Sequence, residues 1–326
     1  MNSLEVKNLS VEYLSEKGDH LIAVEDLSFS IPQGKSLGLV GESGCGKTTV
    51  MLSLMRLLPE AGRITSGQVL LNGLDLMRIS EKEIQKIRWK EIAMVFQGAM
   101  NALNPVRTVE SQIVEALMVH EVLSSKADAA KRAGELLELV GISAKRGKQY
   151  PFQFSGGMRQ RAVIAMALSC SPKVLIADEP TTALDVMVQA QITDLLQRLQ
   201  KEMNLTLVLV THDLGVVAEI CDDVLVMYGG VMVEHANSDT LFNHASHPYT
   251  QRLLQAFPDI ANPGSRLASI PGVPPRLNAL PPGCRFEPRC DLRIAGLCEK
   301  ISPAVTQINP DHSARCHLLA QGDRHD

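Results

Sequence analysis

Residues Gly41-Glu42-Ser43-Gly44-Cys45-Gly46-Lys47-Thr48 follow the spacing Gly-x4-Gly-Lys-Thr. The glycines let backbone N–H groups turn inward around a chain of phosphates, and a helix N-terminus behind them adds positive potential. Lys47 is then placed to reach the β- and γ-phosphates, and the Thr48 hydroxyl to ligate Mg²⁺. Ser36–Val40 ahead of the loop is a short apolar run, and Thr48–Leu58 behind it reads as a helix stopped by Pro59. A strand entering a glycine-rich loop that opens a helix is the geometry phosphate binding requires. Cys45 lies at that helix start beside Lys47, a setting that lowers a thiol pKa and makes it reactive; the plainer expectation is a small residue filling a tight loop.

Outward from the loop, strand and helix patterns alternate. Leu4, Val6, Leu9, Val11 and then Ala23, Val24, Leu27, Phe29 and Ile31 alternate as strands, with Gly18-Asp19 as a hairpin loop between them. Val174–Asp178 and Leu205–Thr211 are nearly continuous apolar runs, expected of a parallel sheet covered on both faces. A helix spans Val186–Met203, and Gly229-Gly230 separates two strands, Val224–Tyr228 and Val231–Glu234. Val109, Ile113 and Leu117, and then Leu136, Leu137 and Val140, repeat at helical spacing, so residues 98–154 read as a helical insert. After Pro258 the chain turns proline-rich, with Pro263, Pro271, Pro274, Pro275, Pro281 and Pro282, a linker leading to a small appended module.

Composition narrows the class. With 326 residues and 45% hydrophobic content the chain can bury a sizeable core. A net charge of −4 gives no general nucleic-acid surface. No basic stretch followed by an apolar run opens the sequence, and no apolar stretch approaches the ~20 residues that cross a bilayer. Of seven cysteines, Cys284, Cys290, Cys298 and Cys316 crowd near the C-terminus. Without an export signal such a cluster reads as a metal site before it reads as disulfides.

The chemistry of the loop is completed further along. The strand Val174–Asp178 ends in a carboxylate, which places Asp178 to hold a Mg²⁺-bound water, while Glu179 follows as a candidate general base toward an attacking water. Phe154-Ser155-Gly156-Gly157-Met158-Arg159-Gln160-Arg161 then opens a helix of about Met158–Ser169 whose N-terminus can receive an anion. This stretch resembles the signature motif of ABC ATPases, with Phe154 in place of the usual Leu and Met158 in place of the usual Gln. Gln97 after the strand Ile92–Phe96 resembles the family's Q-loop, Ala183-Leu184-Asp185 its D-loop, and His212 its switch histidine. Tyr13 stands where the family stacks an aromatic on adenine, or is an ordinary strand residue.

The resemblance implies an α/β fold: a P-loop ABC ATPase core (residues 1–97 and 155–245) with parallel sheet, flanking helices and an antiparallel β subdomain, the helical subdomain 98–154, and a C-terminal extension 246–326. It implies that ATP meets Tyr13, Gly41, Ser43, Gly44, Cys45, Gly46, Lys47, Thr48, Thr49, Gln97, Asp178, Glu179 and His212 of one subunit. Ser155, Gly156, Gly157 and Asp185 would act in trans, from the second subunit of a head-to-tail dimer. Mg²⁺ would lie on Thr48, Gln97 and Asp178. Catalysis would fall to Glu179 as base, with His212, Gln97 and Lys47.

His247-Pro248-Tyr249-Thr250, Ile270-Pro271-Gly272, Gly283-Cys284-Arg285-Phe286 and Pro288-Arg289-Cys290 extend the resemblance to the dipeptide/oligopeptide importer branch. That branch serves peptides, nickel, glutathione or oligosaccharides. It implies a peripheral subunit on the cytoplasmic face of the membrane, in contact with the membrane only through two permease subunits, with an extracytoplasmic substrate-binding protein and a second, paralogous ATPase as partners. The spacing Cys-x5-Cys-x7-Cys-x17-Cys resembles the branch's [4Fe–4S] site, with Zn²⁺ or disulfides as alternatives. A soluble ABC ATPase, or an Fe–S redox-sensing binding module, is the competing class. No second cassette or long coiled-coil insert favours the first, and Lys47, Asp178, Glu179 and His212 together oppose the second.

Overall fold

Two 13-residue strands open the chain in the computed structural model, which describes residues 2–98, 102–182, 184–256 and 270–320. Strand β1 (Asn2–Leu14) buries Leu4, Val6, Leu9 and Val11, and β2 (His20–Pro32) buries Val24, Leu27, Phe29 and Ile31. The turn between them closes where Ser15 N–H donates to Asp19 O at 2.9 Å. Next come β3 (Ser36–Val40), α1 (Lys47–Leu54), β4 (Gly62–Leu71), β5 (Leu74–Asp75), α2 (Glu81–Ile87) and β6 (Ile92–Val95). Three helices follow, α3 (Val109–Val119), α4 (Lys126–Leu139) and α5 (Gly156–Ala167). Then come β7 (Val174–Asp178), α6 (Val186–Met203), β8 (Thr206–Val210), α7 (Leu214–Ile220), β9 (Asp223–Tyr228) and β10 (Val231–Asn237). The chain ends with α8 (Ser238–His244), α9 (Pro248–Gln255), β11 (Thr306–Asn309) and β12 (His312–Ala314).

One compact unit comprises Met1–Leu4, Ile31–Ser36 and Leu71–Val210. Its sheet is parallel, with Val174 of β7 in register with Ile92 of β6 and Thr206 of β8. β7 and β8 are buried along their whole length, which is why both read as unbroken apolar runs. Helix α6 buries Ile192, Leu195, Leu196 and Leu199, one stripe at helical spacing. Helices α3 and α4 pack on each other, and both touch α5.

The other unit comprises Glu5–Ser30, Leu37–Leu70 and Thr211–Asp326. It holds three strands in the order β2-β1-β4. A second ladder pairs β3 parallel to β9, β9 antiparallel to β10, β10 antiparallel to β12, and β12 antiparallel to β11.

Two helix boundaries differ from the sequence expectation. α1 ends at Leu54 rather than Leu58, because Arg56 takes φ 50° and Leu57 N–H folds back to Leu52 O at 2.8 Å. α5 begins at Gly156, two residues earlier than expected, because Ser155 caps it. β11 and β12 lie in the appended module, where no element was singled out from the sequence. Pro258 and Pro263 of the expected linker lie outside the described residues. Between Ile270 and Cys284 the described chain carries only a short 3-10 turn, Leu277–Ala279. No helix among the described residues is long and apolar enough to cross a membrane.

Candidate functional site

The glycine-rich loop leaves β3 and enters α1 with Gly41 at φ 147°, Gly44 at 81° and Gly46 at 106°. Two of these positions also forbid a side chain: a Cβ on Gly41 would meet Met227 O at 2.3 Å, and one on Gly46 would meet Ala23 O at 2.5 Å. Left-handed backbone and close approach together account for both glycines. Lys47 is buried, and its Nζ donates to Gly41 O at 2.6 Å and Glu42 O at 3.1 Å, so the ammonium lies inside the loop it belongs to. A loop of this shape, holding a cation and preceding a helix, fits a polyphosphate. Tyr13 stands beside it: its hydroxyl lies 3.3 Å from Thr49 Oγ1, and its ring fills the space a Cβ on Gly62 would need.

Cys45 corrects an expectation. The side chain is buried, and burial pushes its thiol pKa up; Lys47, whose Nζ is 3.6 Å from the sulfur, pulls the other way and loses. Desolvation therefore outweighs the helix start and the neighbouring cation, and Cys45 fills the loop as a small buried residue.

The other unit gathers the carboxylates. Asp178 ends β7 and is buried. Glu179 follows in the left-handed region at φ 43°, its N–H donating to Val210 O at 2.7 Å. Its carboxylate accepts from Gln97 Nε2 at 2.7 Å and from Thr182 Oγ1 at 2.8 Å. Two residues singled out from sequence, Gln97 and Glu179, thus meet directly. Thr182 was missed; the one signal available was a hydroxyl three positions beyond a candidate base. His212 belongs to the unit of the glycine-rich loop and is exposed, immediately before Asp213, whose carboxylate caps α7 by accepting from Gly215 N–H at 2.9 Å.

The signature residues have local duties of their own. Ser155 Oγ accepts from Met158 N–H at 3.4 Å and caps α5, whose first two residues are Gly156 and Gly157. A Cβ on Gly157 would meet Val188 Cγ1 of α6 at 2.5 Å. Asp185 caps α6, accepting from Val188 N–H at 2.9 Å; Ala183 lies outside the described residues. The two departures from the usual motif share one partner. Arg146 stands 5.3 Å from the Phe154 ring centre and donates to Met158 Sδ at 3.2 Å.

The C-terminal module leaves a second expectation without support. Among the described residues, which include all four cysteines of the cluster, no group of three or more His, Cys, Asp or Glu side chains is arranged to hold a metal ion. The module also has packing contacts of its own. Phe286 is buried against Tyr228 at 5.2 Å, edge to face, and against Tyr249 at 5.3 Å. Buried Glu234 of β10 meets His312 Nε2 of β12 at 2.8 Å and accepts from Ser246 N–H and His247 N–H. Arg285 pairs with Glu25, and Arg252 with Asp291. The four thiols do lie within electrostatic reach of one another. Burial pushes Cys284 up to about 11, and Cys298, Cys316 and Cys290 add to the rise. The donor chemistry thus suits a soft metal, while the arrangement is not that of a formed ligand set.

Residues 24–182 match the ABC transporter family, and residues 233–298 match the oligopeptide/dipeptide transporter C-terminal region. The chain is 46% identical to a dipeptide transport ATP-binding protein of Bacillus subtilis, over 99% of this chain and 96% of that one. It is 48% identical to an oligopeptide transport ATP-binding protein of Salmonella typhimurium, over 96% and 92% of the two chains. Among solved structures it is similar to the ATP-binding cassette MJ0796 in a dimeric post-hydrolysis state bound to ADP and Pi. That match has a TM-score of 0.64 and 28% identity, over 72% of this chain and 98% of that one. Near full-length identity at this level, together with a loop and a carboxylate pair built as described, means that the chain belongs to the ABC transporter family, in its oligopeptide/dipeptide branch.

Proposed function

We propose that this chain is the ATP-hydrolysing subunit of a peptide importer, working at the cytoplasmic face of the membrane on two permease subunits fed by a substrate-binding protein. The observation that carries hydrolysis is Glu179, held by Gln97 and Thr182 directly after Asp178. ATP with Mg²⁺ supplies the phosphoryl group for hydrolysis. Lys47, with Gly41, Ser43, Gly44, Cys45, Gly46 and Thr49, holds its phosphates, and Tyr13 takes the adenine. Thr48, Gln97 and Asp178 hold the metal. Glu179 accepts a proton from the attacking water, and His212 steadies that water and the γ-phosphate.

Ser155, Gly156, Gly157 and Asp185 serve the nucleotide of a second ATPase subunit, here read as a paralogue. Residues 1–97 and 155–245 act as the nucleotide cassette, 98–154 as the surface that meets the permeases, and 246–326 as the extension of the importer branch. The peptide substrate rests on the names of the relatives; nickel, glutathione or an oligosaccharide is the alternative cargo, and uptake of each labelled compound by cells with and without the chain decides among them.

The substitution Glu179→Gln tests the chemistry. ATP binding should remain while steady phosphate release falls by about a hundredfold or more. Hydrolysis near the normal rate would remove Glu179 from the role of base. Mass measurement of the purified assembly separates a pair of identical subunits from a pair of paralogues.

The mutual electrostatic influence of Cys284, Cys290, Cys298 and Cys316 also supports a reading in which they take a [4Fe–4S] cluster, or Zn²⁺ in its place. Metal analysis of anaerobically purified protein tests it. About four irons with broad visible absorption favour the cluster, one colourless zinc favours the alternative, and neither metal removes both.

A further inference from the structure

Glu42 is an acid in an anion-binding loop. It occupies a position where the loop pattern accepts any residue, and a carboxylate there repels a polyphosphate held by the same loop. One residue of the C-terminal module takes that charge. Arg289 Nη1 donates to Glu42 Oε2 at 2.6 Å and Nη2 donates to Oε1 at 3.1 Å, a two-pronged pair. The rest of the guanidinium is fixed as well. Nε donates to Pro271 O at 2.7 Å, Nη1 to the Tyr228 hydroxyl at 3.1 Å and Nη2 to Ile270 O at 3.4 Å, with the Tyr228 ring centre 5.7 Å from Cζ. Only 5% of the Arg289 side chain is exposed, so water screens the pair weakly. The same module engages the loop backbone, since Glu42 N–H donates to the Tyr249 hydroxyl at 3.0 Å.

We propose that Arg289 is a positioning residue that masks the charge of Glu42 inside the phosphate-binding loop, so that the docked C-terminal module sets how tightly the loop takes ATP. This rests on the reading that the loop binds ATP. It goes beyond that reading by giving the module a part in the nucleotide site. An ion pair that only fastened the module would lose the same amount from either end. Masking predicts asymmetry, because removing Arg289 leaves an uncovered carboxylate beside the phosphates, whereas removing the Glu42 charge leaves nothing to cover.

The experiment measures the Kd for Mg-ATP and the kcat and KM of hydrolysis in Arg289→Gln, Glu42→Gln and the double variant, with thermal unfolding as a check on folding. Arg289→Gln should weaken ATP binding about tenfold through KM, with kcat within about twofold. Glu42→Gln should stay within about twofold of the wild type, and the double variant should return to the Glu42→Gln value. Unchanged affinity in folded Arg289→Gln, or a double variant as weak as that single one, overturns the proposal. Should Arg289→Gln fail to fold, Arg289→Lys carries the test. It keeps the charge without the fork, so its affinity should fall by about threefold and Glu42→Gln in that background should restore it; no restoration is again a refutation. Lys47→Ala separates the two levels: ATP binding undiminished in that variant would sink the reading of the loop itself, whatever Arg289 does.

Discussion

Glu179 holds a φ of 43°, a conformation that costs a residue bearing a side chain on the order of 1 kcal/mol or more and persists only where the surroundings enforce it. Gln97 and Thr182 are among those surroundings. Thr182→Val keeps the shape and removes its hydrogen bond to Glu179, so kcat should fall about tenfold with little change in KM; a larger effect on KM would mean that Thr182 acts on nucleotide binding instead. The loop lysine and the Asp178–Glu179 pair stand out in the sequence because a glycine-rich spacing and an apolar strand ending in carboxylates mark them, and Gln97 because its place resembles the family's Q-loop. Thr182 does not, since a hydroxyl in a turn has many uses and no pattern marks this one. Cys45 was misjudged for a related reason: the sequence shows its charged neighbour, but not the burial that outweighs it. Because burial raises the pKa above its ordinary value, the thiol stays neutral near pH 7. Alkylation of the folded protein should therefore be slow at pH 7, rise as pH climbs past 9, and become rapid on unfolding. Labelling at pH 7 as fast as that of the unfolded chain would contradict this.

At the level of elements, β3, β7 and α6 fall where their apolar patterns place them, because a strand buried on both faces and a one-sided helix each leave a distinct period. Helix ends were less legible. The close of α1 is set by a left-handed Arg56, which no residue type announces. The pair α5–α6 supplies a sharper case. Gly157 reads as part of a nucleotide-facing motif, yet its missing side chain also lets Val188 of α6 close in. A β-branched side chain in a helix has little freedom to step aside. Gly157→Ala should therefore destabilise the fold by about 1–3 kcal/mol, and Val188→Ala should recover most of that loss in the double variant. Urea unfolding measures both; a Gly157→Ala protein as stable as the wild type would show that α5 and α6 can separate at no cost.

For the molecule as a whole, the C-terminal module was the least legible part, because its anchors are single contacts far apart in sequence. Nothing near Phe286 or His312 in the chain announces Tyr228 or Glu234 as a partner. The same region carries a pH dependence. Burial drives His247 down to about 4, below its ordinary 6.5, so the folded state holds it neutral. A depressed histidine pKa gives stability that is complete above pH 6.5 and is lost as pH falls toward 4, about 3 kcal/mol across that window. His247→Asn keeps a cap on α9 and removes the titration, so its urea midpoint should fall less between pH 7 and pH 4 than that of the wild type; equal slopes would assign the acid sensitivity elsewhere. The pairing of β10 with β12 bears on how the protein is made. His312 lies 78 positions after Glu234, so β10 is synthesised long before the strand that covers its free edge. Until His312–Ala314 leave the ribosome, that edge presents unpaired backbone N–H and C=O groups to any other nascent chain. A premature stop before Thr306 would make this exposure permanent. Such a chain would still carry Gly41–Thr48 and Asp178–Glu179, and would be expected to reach the insoluble fraction before it turned over nucleotide.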